Sequence, residues 1–479
     1  MIDINLIRND ETFEKVIESE NKRFKDSNKV IEIRNLDKER IKQRYNLDQI
    51  NKEININNTK IADLKKKSKN TEINKKMSNI KIVDGDKDNT KLNNEKEIII
   101  EDINGKNEER NINEAKMGQE DNILLENLKN EQEKLKEEKN KIITLVTEIE
   151  QQINNLLKSI GNILHEDVIV SKSEEDNPII FTFQSDRKVK ASLSYPEICS
   201  KIIGADTLRG SRISGHRGYF LMGELAYLSL SLINYAVDFL KEKNFLLIQP
   251  PVFLNKDVMA KTVQLSDFDE QLYKLEEDLY LIATSEQPLT AFHYNERLDP
   301  STLPLYYCGQ SLCFRKEAGA HGKDNQGIFR VHQFEKIEQF VISEPSQSMK
   351  IFHEMVENSV QFYKSLDISH RVVGIVSGEM NDAASIKYDL EASFPGSDRY
   401  RELVSVSNCT DFQSRELEVR FGVGKENAKK VYVHMLNGTL CAIQRTLCCI
   451  LENYQSEDGV IVPEVLRKYF KKDFIPYLK

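Results

Sequence analysis

Apolar residues recur at every seventh position between residues 125 and 163. Leu128, Leu135, Ile142, Ile149, Leu156 and Ile163 form one seam, and Leu125, Gln132, Lys139, Val146, Ile153 and Ile160 form a second. Two mostly apolar seams at this spacing predict a long α-helix that lays its stripe against a partner, as in a coiled coil. At about 1.5 Å per residue, Leu128 to Ile163 would span roughly 50 Å. An earlier segment supplies the partner: Ile33/Leu36, Leu47/Ile50, Ile54/Asn57 and Ile61/Leu64 keep the spacing, which breaks once at Arg40/Gln43. Two such helices in one chain predict an antiparallel hairpin. Its connection, from about Ser68 to Gly118, is rich in Asn, Lys, Asp and Glu and has no helical period. Disorder or loose structure is expected there, with the run EIII as the only apolar knot.

Further along, the pattern changes from a period of seven to a period of two. In LCFRKEAGAHGKDNQGIFRVHQFEKIEQFV, Leu312 to Val341, apolar and polar residues alternate at both ends around a glycine-bearing loop. That predicts two antiparallel strands. Strand parity puts Arg315 and Glu317 on one face, and Arg330, His332, Phe334, Lys336 and Glu338 on one face of the return strand. Two arginines converging from adjacent strands form an oxyanion clamp, a phenylalanine beside them offers a stacking surface for a planar base, and carboxylates there bind an amine, an ammonium or a hydroxyl. A hairpin with one wet face explains the alternation equally well, and parity alone assigns no work to His332 or Lys336. A second cluster, VHMLNGTLCAIQRTLCCILENYQ, Val433 to Gln455, reads as an apolar strand carrying Asn437 and Thr439 that runs into a helix beginning about Arg445. An arginine at the positive end of a helix is a natural seat for a terminal phosphate. Cys441, Cys448 and Cys449 read as small core residues.

Composition separates the two grammars. All 11 prolines lie at or beyond Pro178 and all 7 cysteines at or beyond Cys199, so the first part can form long helices and the rest is punctuated like a globular domain. A boundary is expected near residues 165–178, and the fold class is α+β: a two-helix arm over 1–170, with a low-complexity insert at about 69–118, and a globular domain over 171–479. No apolar run approaches the ~20 residues of a membrane span, and the acidic opening lacks a signal or transit pattern. An odd cysteine count without CxxC spacing points to reduced thiols, hence to a cytoplasmic protein. The formal net charge of −9 argues mildly against a polyanion partner, but local patches decide that question. One patch stands out where the first helix nears its tip: Lys60, Lys65, Lys66, Lys67, Lys69, Lys75 and Lys76 face only Asp63 and Glu72.

Taken together, the two clusters resemble known motifs. FRKEAG…GIFRVHQFEKIE resembles motif 2 of the class II aminoacyl-tRNA synthetases, and LNGTLCAIQRTLCCILENYQ resembles their motif 3. Within that class the chain is similar to the seryl-tRNA synthetase family, of the cytosolic eukaryotic type. LIATSEQPL (281–289), YDLEASFPGSDRYRELVSVSNCTDFQSRE (388–416) and the two-helix arm agree with this. GYFLMGELAYLSLSLINYAVDFLKEKNFLLIQPPVFL (218–254) resembles motif 1, a helix and strand used for dimerisation. The likeness spans nearly the whole chain except the arm connection. It implies an antiparallel sheet flanked by helices, a homodimer, ATP and Mg²⁺ as cofactors, and L-serine and serine tRNA as substrates. Whether a selenocysteine tRNA is charged as well is not legible.

The resemblance also implies roles. Arg315 would hold the ATP α-phosphate and the amino-acid carboxylate, and Glu317 the adenine amine. Phe334 would stack on adenine, with Arg445 against the other face while reaching the γ-phosphate. Arg330 would help bind the bent triphosphate; Arg315, Arg330 and Arg445 are thus the catalytic candidates. Glu402 and Ser405 match the magnesium-ligand positions. Thr284, Glu286, Glu338, Asn437 and Thr439, with Arg315, match the serine pocket. In that pocket Glu338 and Thr439 would discriminate serine from alanine, because buried partners lose their mate when the hydroxyl is missing. Glu286 suits the substrate ammonium.

Three departures from the family pattern stand out: Gln326 in place of a basic residue, leaving Lys323 as the main cation of the motif 2 loop that meets the tRNA acceptor end; Glu416, read as peripheral; and the expanded arm connection. A relative that loads a carrier protein would lack the arm and would carry Cys/His metal ligands in its pocket. An inactive paralogue would show erosion at the phosphate arginines or the serine pocket. A purely structural coiled coil would explain only the first 165 residues. In the family reading, Lys65, Lys66 and Lys67 contact the tRNA backbone. Neutralising all three is expected to weaken serine tRNA binding and to flatten its salt dependence between about 50 and 200 mM, by a slope of ~0.7–0.9 per lost phosphate contact. An unchanged slope would take these lysines out of the interface.

Overall fold

The computed structural model describes residues 1–78, 101–187, 189, 193–263, 271–318, 327–422 and 430–478. Packing divides the chain into two units: Ile33–Asn154, and Met1–Glu32 together with Asn155–Lys479.

Four helices come first: α1 (Ile4–Arg8), α2 (Asp10–Lys22), α3 (Asn28–Ser78) and α4 (Glu101–Leu157). The last two supply the smaller unit, and their heptad seams are covered as the sequence requires. Ile50, Asn57 and Ile61 of α3 and Leu128, Val146, Ile149 and Ile153 of α4 are buried, whereas Lys52, Lys60, Lys129 and Lys141 between them are exposed. The pairing is antiparallel: Arg44 meets Glu150 at 2.5 Å, while Gln132 donates to Asn58. The break in the seam is a charged one. Arg40 pairs with Asp37 at 2.9 Å on its own helix and reaches Glu150 at 3.5 Å, and one polar layer of this kind fixes helix register.

Two expectations need correction. The segments 69–78 and 101–118, read as loose connection, are helical, because proline-free Lys/Glu-rich sequence extends a helix that is already nucleated; residues 79–100 lie outside the described residues. At the other end α4 stops at Leu157, so Ile160 and Ile163 leave the helix although they stay in heptad step.

The larger unit takes residues 1–32 and 155–170 away from the expected arm. The cause is a polar clasp. Arg23, just past α2 and only 4% exposed, donates to the carbonyls of Asn162 (3.1 Å), Asn381 (3.3 Å) and Ala384 (2.6 Å). Gly161 makes room for it, since a Cβ there would come within 2.8 Å of the arginine side chain.

The rest of this unit is organised by a sheet of eight strands: β1 (Ile179–Phe183), β2 (Leu246–Ile248), β3 (Leu305–Phe314), β4 (Gln333–Ser343), β5 (His370–Gly374), β6 (Ile386–Phe394), β7 (Arg399–Asn408) and β8 (His434–Ala442), in the order β1-β5-β6-β7-β8-β4-β3-β2. All neighbours are antiparallel except the edge pair β2–β3. Helices α5 (Gly223–Lys241), α6 (Ser348–Ser365) and α7 (Ile443–Asn453) share one core with the sheet. Leu225, Leu228, Leu232 and Ala236 recur at helical spacing on α5 and join Phe352, Met355 and Phe362 of α6 and Leu447, Cys448 and Leu451 of α7. Ile337 and Val341 of β4 enter that core, so Lys336 and Glu338 fall on the opposite face by strand parity. Further along the same face Phe340 and Ile342 pack on Leu289 in a smaller apolar cluster, which pins the segment after residue 283 to the sheet. The three cysteines of the β8–α7 segment are buried free thiols, as expected.

Replacing Arg23 by Ala strands three buried carbonyls. The expected cost is about 2–4 kcal/mol of stability, read as a lower urea midpoint of the larger unit. A midpoint equal to wild type would show the clasp to be dispensable.

Candidate active site

Two breaks in strand periodicity shape the polar face of the sheet. Between β7 and β6, Val404 pairs with Leu390 but Glu402 pairs with Glu391, so Leu403 is an extra residue. In a regular strand Glu402 and Ser405, three apart, would point to opposite faces; the bulge turns both into one cavity. The same happens on β8. Thr439 pairs with Glu338 and Cys441 with Ile337, which leaves Leu440 extra and sets Thr439 and Ala442 on the same side.

The larger cavity, about 630 Å³, is lined by Thr284, Glu286, Arg315, Lys336, Glu338, Glu402, Ser405, Asn437 and Thr439 among others. Every residue expected to form the serine pocket is therefore in one place. Glu338, 2% exposed, accepts from the Lys336 ammonium at 2.5 Å and from Thr439 Oγ1 at 3.4 Å through the same carboxylate oxygen. Thr284 Oγ1 accepts from the Glu286 backbone N–H at 3.2 Å, and Gln413 Nε2 donates to Glu286 Oε1 at 2.9 Å. Asn437 Nδ2 donates to Cys409 Sγ at 3.4 Å. Arg315 follows the end of β3; its Nε donates to the Ala283 carbonyl at 3.2 Å and its guanidinium stands 5.2 Å from the Phe334 ring centre.

A smaller cavity of about 50 Å³ collects six of the seven residues expected to bind ATP, Arg315, Glu317, Arg330, Phe334, Glu402 and Arg445, while the seventh, Ser405, lines only the larger one. Arg315, Lys336, Glu402 and Thr439 line both cavities, so the two adjoin. Arg330 pairs with Glu317 at 3.3 Å. Arg445 lies in the first turn of α7, as expected, and donates to the Glu402 carbonyl at 3.3 Å with the Glu402 carboxylate 3.5 Å away.

Several details differ from the sequence reading. β3 ends at Phe314 and Glu317 has a left-handed backbone (φ 49°), so Arg315 and Glu317 do not share a strand face. β4 begins only at Gln333. His332 consequently sits on the far side, lining a separate cavity with Gln333 and Glu335, while its Nδ1 donates to the Arg315 carbonyl at 2.8 Å. Phe329 is an addition to the expected set: its ring centre lies 5.0 Å from the Arg445 guanidinium, and it lines the smaller cavity with Phe334. Glu416 is not peripheral: it lines the larger cavity and pairs with Lys158 at 3.2 Å. Lys336 is 7% exposed at the junction of the two cavities, although alternation assigned it no work. Gln413, Lys387, Asp389 and Phe329 were missed because no local pattern marks them. Lys65, Lys66 and Lys67 are exposed on α3 and belong to the smaller unit; Lys323 and Gln326 lie outside the described residues, as do the side chains of Lys75 and Lys76.

Electrostatics follow from enclosure. Burial raises the pKa of Glu286, and the neighbouring Glu338 charge raises it further, against the Gln413 hydrogen bond. Burial pushes Asp389 up to about 7, opposed by Lys387 at 3.8 Å; Ser405 Oγ donates to it at 2.6 Å. The surrounding protein tends to raise Glu402 as well, but Arg445, Lys387 and Arg315 together outweigh that, and its carboxyl is held below the usual range.

Comparison with known proteins places this geometry. Residues 1–103 match the model of the seryl-tRNA synthetase N-terminal domain, and residues 268–454 that of the tRNA synthetase class II core domain (G, H, P, S and T). A serine–tRNA ligase of Encephalitozoon cuniculi is 59% identical over 322 residues, covering 67% of this chain and 75% of the relative. The cytoplasmic enzyme of Arabidopsis thaliana is 42% identical over 100% of this chain and 96% of its own. Among solved structures, the cytoplasmic serine–tRNA ligase of Naegleria fowleri in complex with AMP superposes with a TM-score of 0.80 at 40% identity, covering 100% and 99% of the two chains. Seryl-tRNA synthetase of Pyrococcus horikoshii complexed with ATP gives 0.80 at 34% identity, covering 100% of both chains. With its arm helices, its bulged antiparallel sheet and its paired cavities, the chain belongs to the seryl-tRNA synthetase family and is a serine–tRNA ligase.

Proposed function

We propose that L-serine binds in the larger cavity, that ATP lies across the junction with its adenine toward the residues of the smaller one, and that the first step of the reaction takes place where the two adjoin. The observation that carries this reading is the set of residues common to both cavities, Arg315, Lys336, Glu402 and Thr439. A serine carboxylate held by Arg315 there lies next to an α-phosphate held by the same guanidinium. In-line attack by a carboxylate oxygen on the α-phosphorus forms seryl-adenylate and breaks the bond to pyrophosphate. The 3′-terminal ribose hydroxyl of tRNA then attacks the activated carbonyl, its proton is lost, and AMP leaves. No side chain acts as a nucleophile; orientation and charge neutralisation supply the rate.

Around the substrate, Glu286 takes the ammonium, and Glu338 with Thr439 and Asn437 faces the hydroxyl. Phe334 offers its face to adenine and Glu317 the amine-binding carboxylate, while Arg330 and Arg445 meet the β- and γ-phosphates. Mg²⁺ fits the donor set: Glu402 stays ionised and half exposed in the cavity, and Ser405 turns its hydroxyl to the same side while donating its proton to Asp389. Hard cations of this size take a few such oxygens plus phosphate, and when bound the ion supplies charge neutralisation to the triphosphate.

The enzyme is read as a homodimer. Tyr227 and Leu230 on α5 and Leu246 and Leu247 on the edge strand β2 are exposed apolar residues in the segment resembling motif 1. The cytoplasm is its compartment, since relatives carry that designation and the cysteines are free thiols. The arm, with Lys65, Lys66 and Lys67, is read as the serine tRNA contact, and Lys323 as the contact to the acceptor end.

Serine-dependent exchange of labelled pyrophosphate into ATP, without tRNA, is expected with serine and not with threonine, alanine or cysteine. Arg315→Ala should abolish it in protein that is still folded; near-wild-type exchange by that variant would sink the assignment. Acidification should raise the KM for serine, because the raised pKa of Glu286 means it takes up its proton at a higher pH than an ordinary carboxylate and loses the charge that attracts ammonium. A serine KM that does not rise as the pH is lowered would remove Glu286 from that role.

A further inference from the structure

Gln413 belongs to the short helix Phe412–Glu416 and lines the larger cavity, only 3% exposed. The strand pattern does not mark it, and the stretch 388–416, which carries part of the resemblance, assigns it no role. Its amide is anchored on one side, where Nε2–H donates to Glu286 Oε1 at 2.9 Å. On the other side its Oε1 is buried and has no hydrogen-bond partner among the described residues. Turning the amide over would bring that oxygen against the Glu286 carboxylate, so the orientation is set by charge. A buried amide oxygen without a donor is costly in a finished protein unless something else supplies one.

The groups that face Glu286 explain why a second acceptor is useful. Glu338 repels its charge, Lys336 and Arg315 attract it, and Cys409 is a buried thiol. One carboxylate oxygen is already committed to Gln413, whereas an ammonium brings three N–H donors and no acceptor.

We propose that Gln413 completes the ammonium site of the serine pocket, its N–H fixing the Glu286 carboxylate and its carbonyl oxygen accepting from the substrate's amino group. Gln413 is then a positioning and specificity residue that selects an α-amino acid over its hydroxy-acid counterpart. The inference rests on the assignment of Glu286 to the serine ammonium.

The test compares wild type, Gln413→Met, Gln413→Glu and Glu286→Gln by pyrophosphate exchange, with L-glycerate (serine with a hydroxyl in place of the amine) as a competing inhibitor. Loss of one hydrogen bond to a charged group should raise the serine KM of Gln413→Met about 10- to 100-fold. The KM for ATP should stay within about twofold, since ATP does not engage the ammonium site, and the inhibition constant of glycerate, whose hydroxyl brings one neutral donor in place of a charged group, should rise by a clearly smaller factor than the serine KM. Gln413→Glu keeps size and an acceptor oxygen but replaces the donor by a second carboxylate beside Glu286, and should raise the serine KM as well. It serves as the deciding variant if the methionine form does not fold. A serine KM near wild type in either folded variant overturns the proposal, and so does a rise of serine KM, ATP KM and glycerate inhibition constant by the same factor, which marks a packing role. If Glu286→Gln raises the serine KM while Gln413→Met does not, the inference about Gln413 alone fails. If Glu286→Gln leaves it unchanged, the underlying reading of the pocket fails with it.

Discussion

Charge balance inside an enclosed space is the constraint on which this molecule turns. On the polar face of the sheet Glu286, Glu338, Asp389 and Glu402 stand among Arg315, Lys336, Lys387 and Arg445. Any one of these charges buried alone would be severely penalised. Together they are tolerable, and the balance is uneven in a useful way: Glu402 is kept ionised by three cations, while Glu286 and Asp389 are pushed toward the protonated form. In the proposed reaction such a cluster would take a zwitterion and a polyphosphate by exchanging partners rather than by creating charge in a dry site. It also accounts for the modest role of acid–base chemistry in the proposed reaction, where the reacting carboxylate and phosphate arrive already charged.

The apolar part of the structure serves that cluster. Helices α5, α6 and α7 press on one face of the sheet and hold its strands at fixed spacing, so the opposite face can carry charges at defined distances. The segment with Thr284 and Glu286 has no strand to place it; Leu289, seated on Phe340 and Ile342, does so instead. The clasp around Arg23 works at the boundary, tying the first helices to the loop around Asn381–Ala384, which itself lines the larger cavity in part. A residue far from the reaction thereby helps to shape the site.

Two bulges do what regular pleating cannot. Without the extra Leu403, Glu402 and Ser405 would face opposite sides; without the extra Leu440, Thr439 and Ala442 would. Both bulges occur on central strands beside the reacting groups. Their effect is to let a sheet present side chains three residues apart to one ligand.

The sequence by itself was enough for everything periodic or local. Seven-residue spacing specified the arm helices and even the charged break at Arg40, because each side chain's burial there depends on neighbours three or four positions away. Alternation located the β3–β4 hairpin, and the motif resemblance brought together Arg315, Glu317, Phe334, Glu338, Thr439 and Arg445. Only the tertiary structure decided the rest. Parity failed at Glu317 and His332, where the chain leaves the sheet, and no local rule signals an inserted residue such as Leu403. Lys336 looked idle until its partner Glu338 proved buried. Gln413, Glu416 and Phe329 act through neighbours distant in sequence, and nothing in their own surroundings along the chain records that contact. The helical continuation into 69–78 and 101–118 was missed for the opposite reason: helix propagation from a stable neighbour overrides a weak local pattern.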